Sequence, residues 1–212
     1  MHSRSIVATY RLAFSVLVLF AVCVELQHSM YQHTGIVNFF SYFTYESNIF
    51  AAIVFLLGGA VTIRGHTSET FALWRGAATV YMLITGVVYA LLLRTQPVAI
   101  VWTNDVLHYI FPVVIFADWF IDTPRRRIPY KNGLIWIVYP LLYLAYTLIR
   151  GPIVHWYPYT FINPAPHGYA SVTSTSIQIL VATLVLVEVL TYATKRDNHG
   201  LLKDKKDSVT EE

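Results

Sequence analysis

Two short stretches carry the side chains best suited to chemistry. Thr44 and Asn48 stand in "FTYESN", and Asn104, Asp105 and His108 stand in "NDVLH". Residues three or four apart share one face of a helix. One helix would then offer a hydroxyl, and another an imidazole with an amide and a carboxylate within reach. Those are the parts of nucleophilic acyl transfer. A threonine hydroxyl attacks an acyl carbon only if a base takes its proton, and histidine suits that task at neutral pH. The base needs a third group to hold its tautomer, a role open to Asp105 or Asn104. With Thr44 in a first helical turn, the backbone N–H groups there lack intrahelical partners and are expected to face a developing oxyanion. The competing reading is plain. A single threonine in an apolar helix is more often a packing residue bonded to its own backbone.

The elements that must position these groups follow from composition. The chain has 212 residues, 56% hydrophobic and only 13% charged, with mean hydropathy +0.52. A soluble domain carries roughly a quarter charged residues. Crossing a bilayer core about 30 Å thick takes ~20 helical residues, and a helix satisfies its own backbone in lipid. The apolar runs predict helices over Ile6–Leu26, Phe43–Ile63, Phe71–Leu93, Asp105–Ile121, Leu134–Ile149 and Ser171–Tyr192. The expected fold is therefore all-α: a polytopic membrane protein, a bundle of six transmembrane helices over residues 1–194. A polar tail over 195–212 lacks apolar periodicity and is expected to be disordered. No room is left for a separate soluble domain.

Lys and Arg set the orientation. Of the 15, only Arg94 and Arg150 fall in one set of joints, and all the others fall in the opposite set. The expectation is a multi-pass protein of the plasma membrane with both termini cytoplasmic. The basic joints are first of all topology signals, and they also suit anionic lipid heads. The orientation brings Glu25, His28, Thr44, Glu46, Asn48, Asn104, Asp105, His108 and Arg150 to one depth near the outer surface. The outer joint Gly151–Tyr169 is rich in proline and aromatic residues and free of Lys, Arg, Asp and Glu. It reads as a rigid cap on the bundle mouth. Trp136, Tyr139, Tyr143, Tyr146 and Arg150 recur at helical spacing, either as a packing face or as a pocket wall. Tyr143, Tyr146, Arg150 and Trp156 are the pocket candidates.

Asp118 lies ten residues past His108, about 15 Å deeper by helical rise. It and Glu188 are expected to pair with arginines such as Arg64 or Arg125, with a proton or ion path as the rival use. Cys23 is the single cysteine, so no intrachain disulfide can form. The eight histidines are scattered, without H-x-x-H or HExxH. No phosphate, dinucleotide or G-x-S-x-G motif occurs. No metal or other cofactor is expected, and the arginines do not form a nucleic-acid face.

Three stretches together, "FSYFTYESNIFAAIV" (Phe40–Val54), "NDVLHYIFPVVIFADWFI" (Asn104–Ile121) and "YPLLYLAYTLIRGPIVHWYPYTFINP" (Tyr139–Pro164), resemble the prokaryotic six-transmembrane protein family. That family is a distant relative of the androgen-induced membrane proteins of animals. The resemblance runs from about Phe39 to Pro166. The animal proteins are threonine hydrolases of fatty acid esters of hydroxy fatty acids that use one Thr and one His, and the resemblance implies those roles for Thr44 and His108. The expected activity is a lipid-ester hydrolase at the outer leaflet, with membrane lipids and a lipid-like ester as partners. The alternative is a non-enzymatic membrane transporter or lipid-binding protein. Asp118 and Glu188 would then matter, and the outer cluster would be a vestibule.

Overall fold

The structure, a computed structural model, describes residues 2–64, 68–124 and 126–209, with side chains over 4–64, 68–124 and 126–194. Among them every regular element is helical. Six helices are long and apolar enough to cross a membrane: α1 (Arg4–Tyr31), α2 (Phe43–Arg64), α3 (Glu69–Leu93), α4 (Val101–Ile121), α5 (Tyr130–Val154) and α6 (Pro164–Thr194). The last is continuous with the helix assigned over Pro164–Val209, which bends at Gly168 with φ 72°. The expected polar tail over 195–212 lies outside the residues whose side chains are described.

Local chemistry sets the helix ends. Ser68 caps α3 by accepting a hydrogen bond from the Phe71 N–H at 3.0 Å. His155 closes α5 in the left-handed region, φ 52°. Several helices outrun the apolar stretches, α1 reaching Tyr31 and α4 starting at Val101. Polar and aromatic residues continue a helix into the interface without cost, so hydropathy marks the lipid core rather than the helix end.

Between membrane helices, dense packing and hydrogen bonds do the work that water exclusion does elsewhere. One packed cluster joins Val18, Ala51, Phe55, Met82, Leu107 and Phe111, from α1 to α4. A second joins Tyr81, Trp119, Trp136, Val187 and Leu190, from α3 to α6. Helices α3 and α4 belong to both and tie the halves together. Gly76 shows how close the approach is: a Cβ there would lie 2.0 Å from the Trp136 ring. The ring cannot swing away easily, because its indole N–H donates to the Leu73 carbonyl at 2.9 Å. Alanine ordinarily gains about 1 kcal/mol over glycine inside a helix. At Gly76 the clash dominates, and Gly76→Ala is expected to cost about 1–3 kcal/mol net, read as a lower unfolding temperature in detergent.

At the bundle end away from Thr44, Asp118 is 2% exposed and ion-paired. Contrary to expectation, Arg64 is not among its partners, and Arg125 lies outside the described residues. Its partners are Arg11, through Nε at 2.7 Å and Nη2 at 3.0 Å, and Arg75, through Nη2 at 2.7 Å. The Tyr10 hydroxyl donates to it at 2.5 Å. The reason lies in which way the two helices face. Arg11 and Arg75 fall inside the predicted spans as well as inside α1 and α3, and both side chains turn inward to the carboxylate on α4. Glu188, by contrast, is exposed on α6 and forms no ion pair among the described residues.

Candidate active site

The first turn of α2 opens onto the bundle interior, where its backbone donors need partners. The Phe43 N–H donates to the Tyr143 hydroxyl at 3.3 Å and the Thr44 N–H to the Tyr159 hydroxyl at 3.1 Å. The N–H groups of Tyr45 and Glu46 donate to the Tyr42 carbonyl. The expected free donors for an oxyanion are therefore already engaged. Phenols occupy the places where an oxyanion was expected, because a helix start buried without partners would be costly.

The Thr44 hydroxyl lies 3.3 Å from His108 Nε2 and 3.1 Å from the Tyr159 oxygen. His108 Nδ1 lies 3.1 Å from the Asn104 backbone carbonyl. That carbonyl only accepts, so Nδ1 carries the proton and Nε2 presents its lone pair to Thr44. The rest follows in order. Thr44 O–H donates to His108, Tyr159 O–H donates to the Thr44 oxygen, and the Thr44 N–H donates to the Tyr159 oxygen. This is the arrangement of a nucleophile with its base already in the accepting tautomer.

Helix α4 aims His108 by a wide turn, π-helical over Val106–Ile110, in which the Phe111 N–H bonds back to the Val106 carbonyl. Pro112 explains the widening. It lacks an N–H, and in a regular helix its ring would strike the His108 carbonyl. Such turns frequently accompany functional sites. A second π-turn, Tyr89–Leu93 at the end of α3, places Tyr89 against the imidazole, with ring centroids 4.0 Å apart and planes 22° apart. Gly86 lets the two helices meet, since a Cβ there would sit 3.2 Å from the His108 carbonyl oxygen.

Asn48 holds the two reacting helices in register. Its buried amide donates to the Thr44 carbonyl at 2.8 Å and to the Leu107 carbonyl at 3.3 Å. Its Oδ1 has no donor among the described residues. Asn104 acts through its main chain, not its side chain. Asp105 forms no hydrogen bond or ion pair among the described residues and does not orient the imidazole.

Tyr159 was missed as a site residue, although the charge-free aromatic cap that contains it stood out. It precedes a single 3-10 turn, Thr160–Ile162, and is wedged edge-on against Tyr42 and stacked on Phe161. Burial pushes its phenol pKa up, so it stays a proton donor. A donor 3.1 Å from the Thr44 oxygen is within reach of an oxyanion formed there. If Thr44 is the nucleophile of an ester hydrolase, Tyr159→Phe is expected to lower kcat roughly 10²-fold, measured as ester turnover at saturating substrate.

Thr44 and Tyr159 form part of the wall of an apolar cavity with about 770 Å³ of empty volume, its open mouth included. Leu141, Tyr143, Leu180 and Thr183 also line it. Of the four pocket candidates only Tyr143 does so. The Tyr146 hydroxyl bonds the Ser41 hydroxyl at 2.9 Å. Arg150 donates to Asn38 Oδ1 at 2.6 Å and lies over the Trp156 ring, 5.4 Å from its centroid. Those three fasten the segment before α2 and the cap to α5. Among the described residues no group of three or more His, Cys, Asp or Glu is placed to hold a metal ion. Comparison of the chain with family models, curated proteins and solved structures returns no match.

Proposed function

We propose that the chain is an integral membrane lipid-ester hydrolase with Thr44 as nucleophile and His108 as general base. One observation carries the reading: the Thr44 hydroxyl lies 3.3 Å from an imidazole nitrogen whose lone pair is turned to it by the Asn104 carbonyl. The adjoining apolar cavity suits an acyl chain, and the resemblance of three stretches to the prokaryotic six-transmembrane family, a distant relative of the animal threonine hydrolases, points the same way. Thr44 Oγ attacks the acyl carbonyl carbon while its proton passes to His108 Nε2. The carbonyl electrons collect on oxygen, and the Tyr159 O–H turns from Thr44 to that oxygen. His108 then returns the proton to the departing alkoxide, leaving an acyl-threonine. Water, deprotonated by the same nitrogen, releases the acid and restores Thr44.

The bias of basic residues supports a plasma-membrane orientation with both termini cytoplasmic. Thr44 and His108 then work in the outer leaflet. The test is turnover of acyl esters by the purified chain, together with covalent labelling by a hydrolase-directed fluorophosphonate. Both have to depend on Thr44.

A further inference from the structure

Two hollows adjoin at the bundle end away from Thr44. One is a polar vestibule with about 1780 Å³ of empty volume, lined among others by Arg4, Arg75, Arg126, Arg127, Glu69 and Asp122. The other is a groove of about 1390 Å³ on the side of the bundle, between α2, α3 and α5. Its walls are mostly apolar and aromatic, with Phe50, Trp74, Tyr81, Ile135 and Trp136 among them, and Lys131 stands at its polar end. Leu73 and Asn132 line both, so polar space passes directly into apolar space.

The geometry points to a seat for one anionic phospholipid of the leaflet at this end, its phosphate in the vestibule and an acyl chain in the groove. Charge selects the head. The linings hold five cations, the four arginines and Lys131, against two carboxylates. Arg75 is committed to Asp118 and Arg126 is ion-paired with Glu69, and cations still exceed carboxylates in the lining. Length selects the tail. From Lys131 to Tyr139 the groove follows α5 for about 12 Å, close to half of a ~30 Å bilayer core. A chain hung from the interface thus reaches the midplane and no farther. Trp74 is 53% exposed and Ile135 60% exposed, so the groove faces outward, where a lipid can enter sideways. A free anion would leave the groove unused, and a neutral lipid would leave the cations unused. The seat is on the other face of α5 from the Thr44 cavity and does not depend on the hydrolase reading.

The test uses the full chain in phosphatidylcholine vesicles doped with phosphatidylglycerol or phosphatidylcholine brominated on the acyl chain, with tryptophan fluorescence as readout. Brominated phosphatidylglycerol is expected to quench at a several-fold lower mole fraction than the neutral lipid. Lys131→Gln should raise that fraction on the order of 5-fold, about the weight of one basic residue near a membrane surface. Trp74→Phe should remove most of the difference between the two lipids. Both side chains are exposed, and monodisperse elution in detergent checks that each variant is folded. Equal quenching by the two lipids overturns the seat. So does a preference that survives in the Lys131→Gln, Arg127→Gln double variant, or one indifferent to Trp74→Phe. Loss of the preference in millimolar inorganic phosphate at constant ionic strength would make the vestibule a free-anion site and overturn the lipid assignment.

Discussion

Thr44→Ala is expected to abolish ester turnover and covalent labelling together, lowering kcat on the order of 10⁴-fold or more. The change removes the attacking oxygen and leaves nothing in its place. It should leave the fold intact. Thr44 is buried, but among the described residues its hydroxyl bonds only to His108 and Tyr159, and its N–H and carbonyl contacts belong to the main chain. Thr44→Ser keeps the oxygen and is expected to stay within about tenfold of the parent, losing only a methyl contact. His108→Ala removes the base and should cost roughly 10²–10⁴-fold. The double variant Thr44→Ala, His108→Ala should be no worse than Thr44→Ala alone, because the two act as one unit. Turnover and labelling that both survive Thr44→Ala would end the hydrolase reading, and no rearrangement of the roles of Tyr159 or Asn48 would rescue it.

The second large effect lies at the opposite end and concerns stability. Asp118→Ala strands the guanidinium of Arg11, whose side chain is 2% exposed, and weakens the hold on Arg75. Removing one partner of a buried ion pair costs about 3–5 kcal/mol, because the remaining charge is left without its counterion. For a chain of this length that corresponds to a fall on the order of 10 °C in unfolding temperature, measured in detergent. Asp122 softens the loss for Arg11, which it already contacts at 2.7 Å, but it is partly exposed and cannot replace the buried carboxylate. Adding Arg11→Met to Asp118→Ala should restore part of the loss, since an apolar chain of similar length needs no counterion. Ester turnover well below the unfolding temperature should change little. The contrasting outcome is informative: an Asp118→Asn protein of full stability that had lost ion-coupled transport would favour the transporter reading.

Much of this was legible in the chain. A run such as Phe43–Ile63 has too few polar groups to be anything but a helix in lipid, and all six runs are helices in the structure. Thr44 could be placed in a first turn because the second predicted span begins at Phe43, and the helix does begin there. The near one-sided distribution of Lys and Arg grouped Thr44 and His108 at one end of the bundle, and the two side chains do meet. Other features left no mark that spacing could reveal. Arg11 and Arg75 read as orientation signals near helix ends, and their common partner comes from a third helix. The group that fixes the His108 tautomer is the Asn104 carbonyl, and every residue has a carbonyl. The search for a polar side chain therefore led to Asp105, which forms no hydrogen bond or ion pair among the described residues. The phenols that meet the α2 start come from a distant helix and from the cap, at separations of 100 and 115 residues.

The sequence by itself determined what the bilayer demands: which segments are helices, and that six of them are long and apolar enough to cross it. Those properties are local or additive, set by hydropathy, helical period and charge count. Only the tertiary structure decided which of the polar groups meet. Contact across a bundle depends on how each helix is rotated about its axis, and small backbone features set that rotation: the π-turn ahead of Pro112, the close approach at Gly86, the Asn48 amide spanning two helices. Because of them Thr44 faces His108, Tyr159 bonds to Thr44, and Asp105 on the same stretch takes no part.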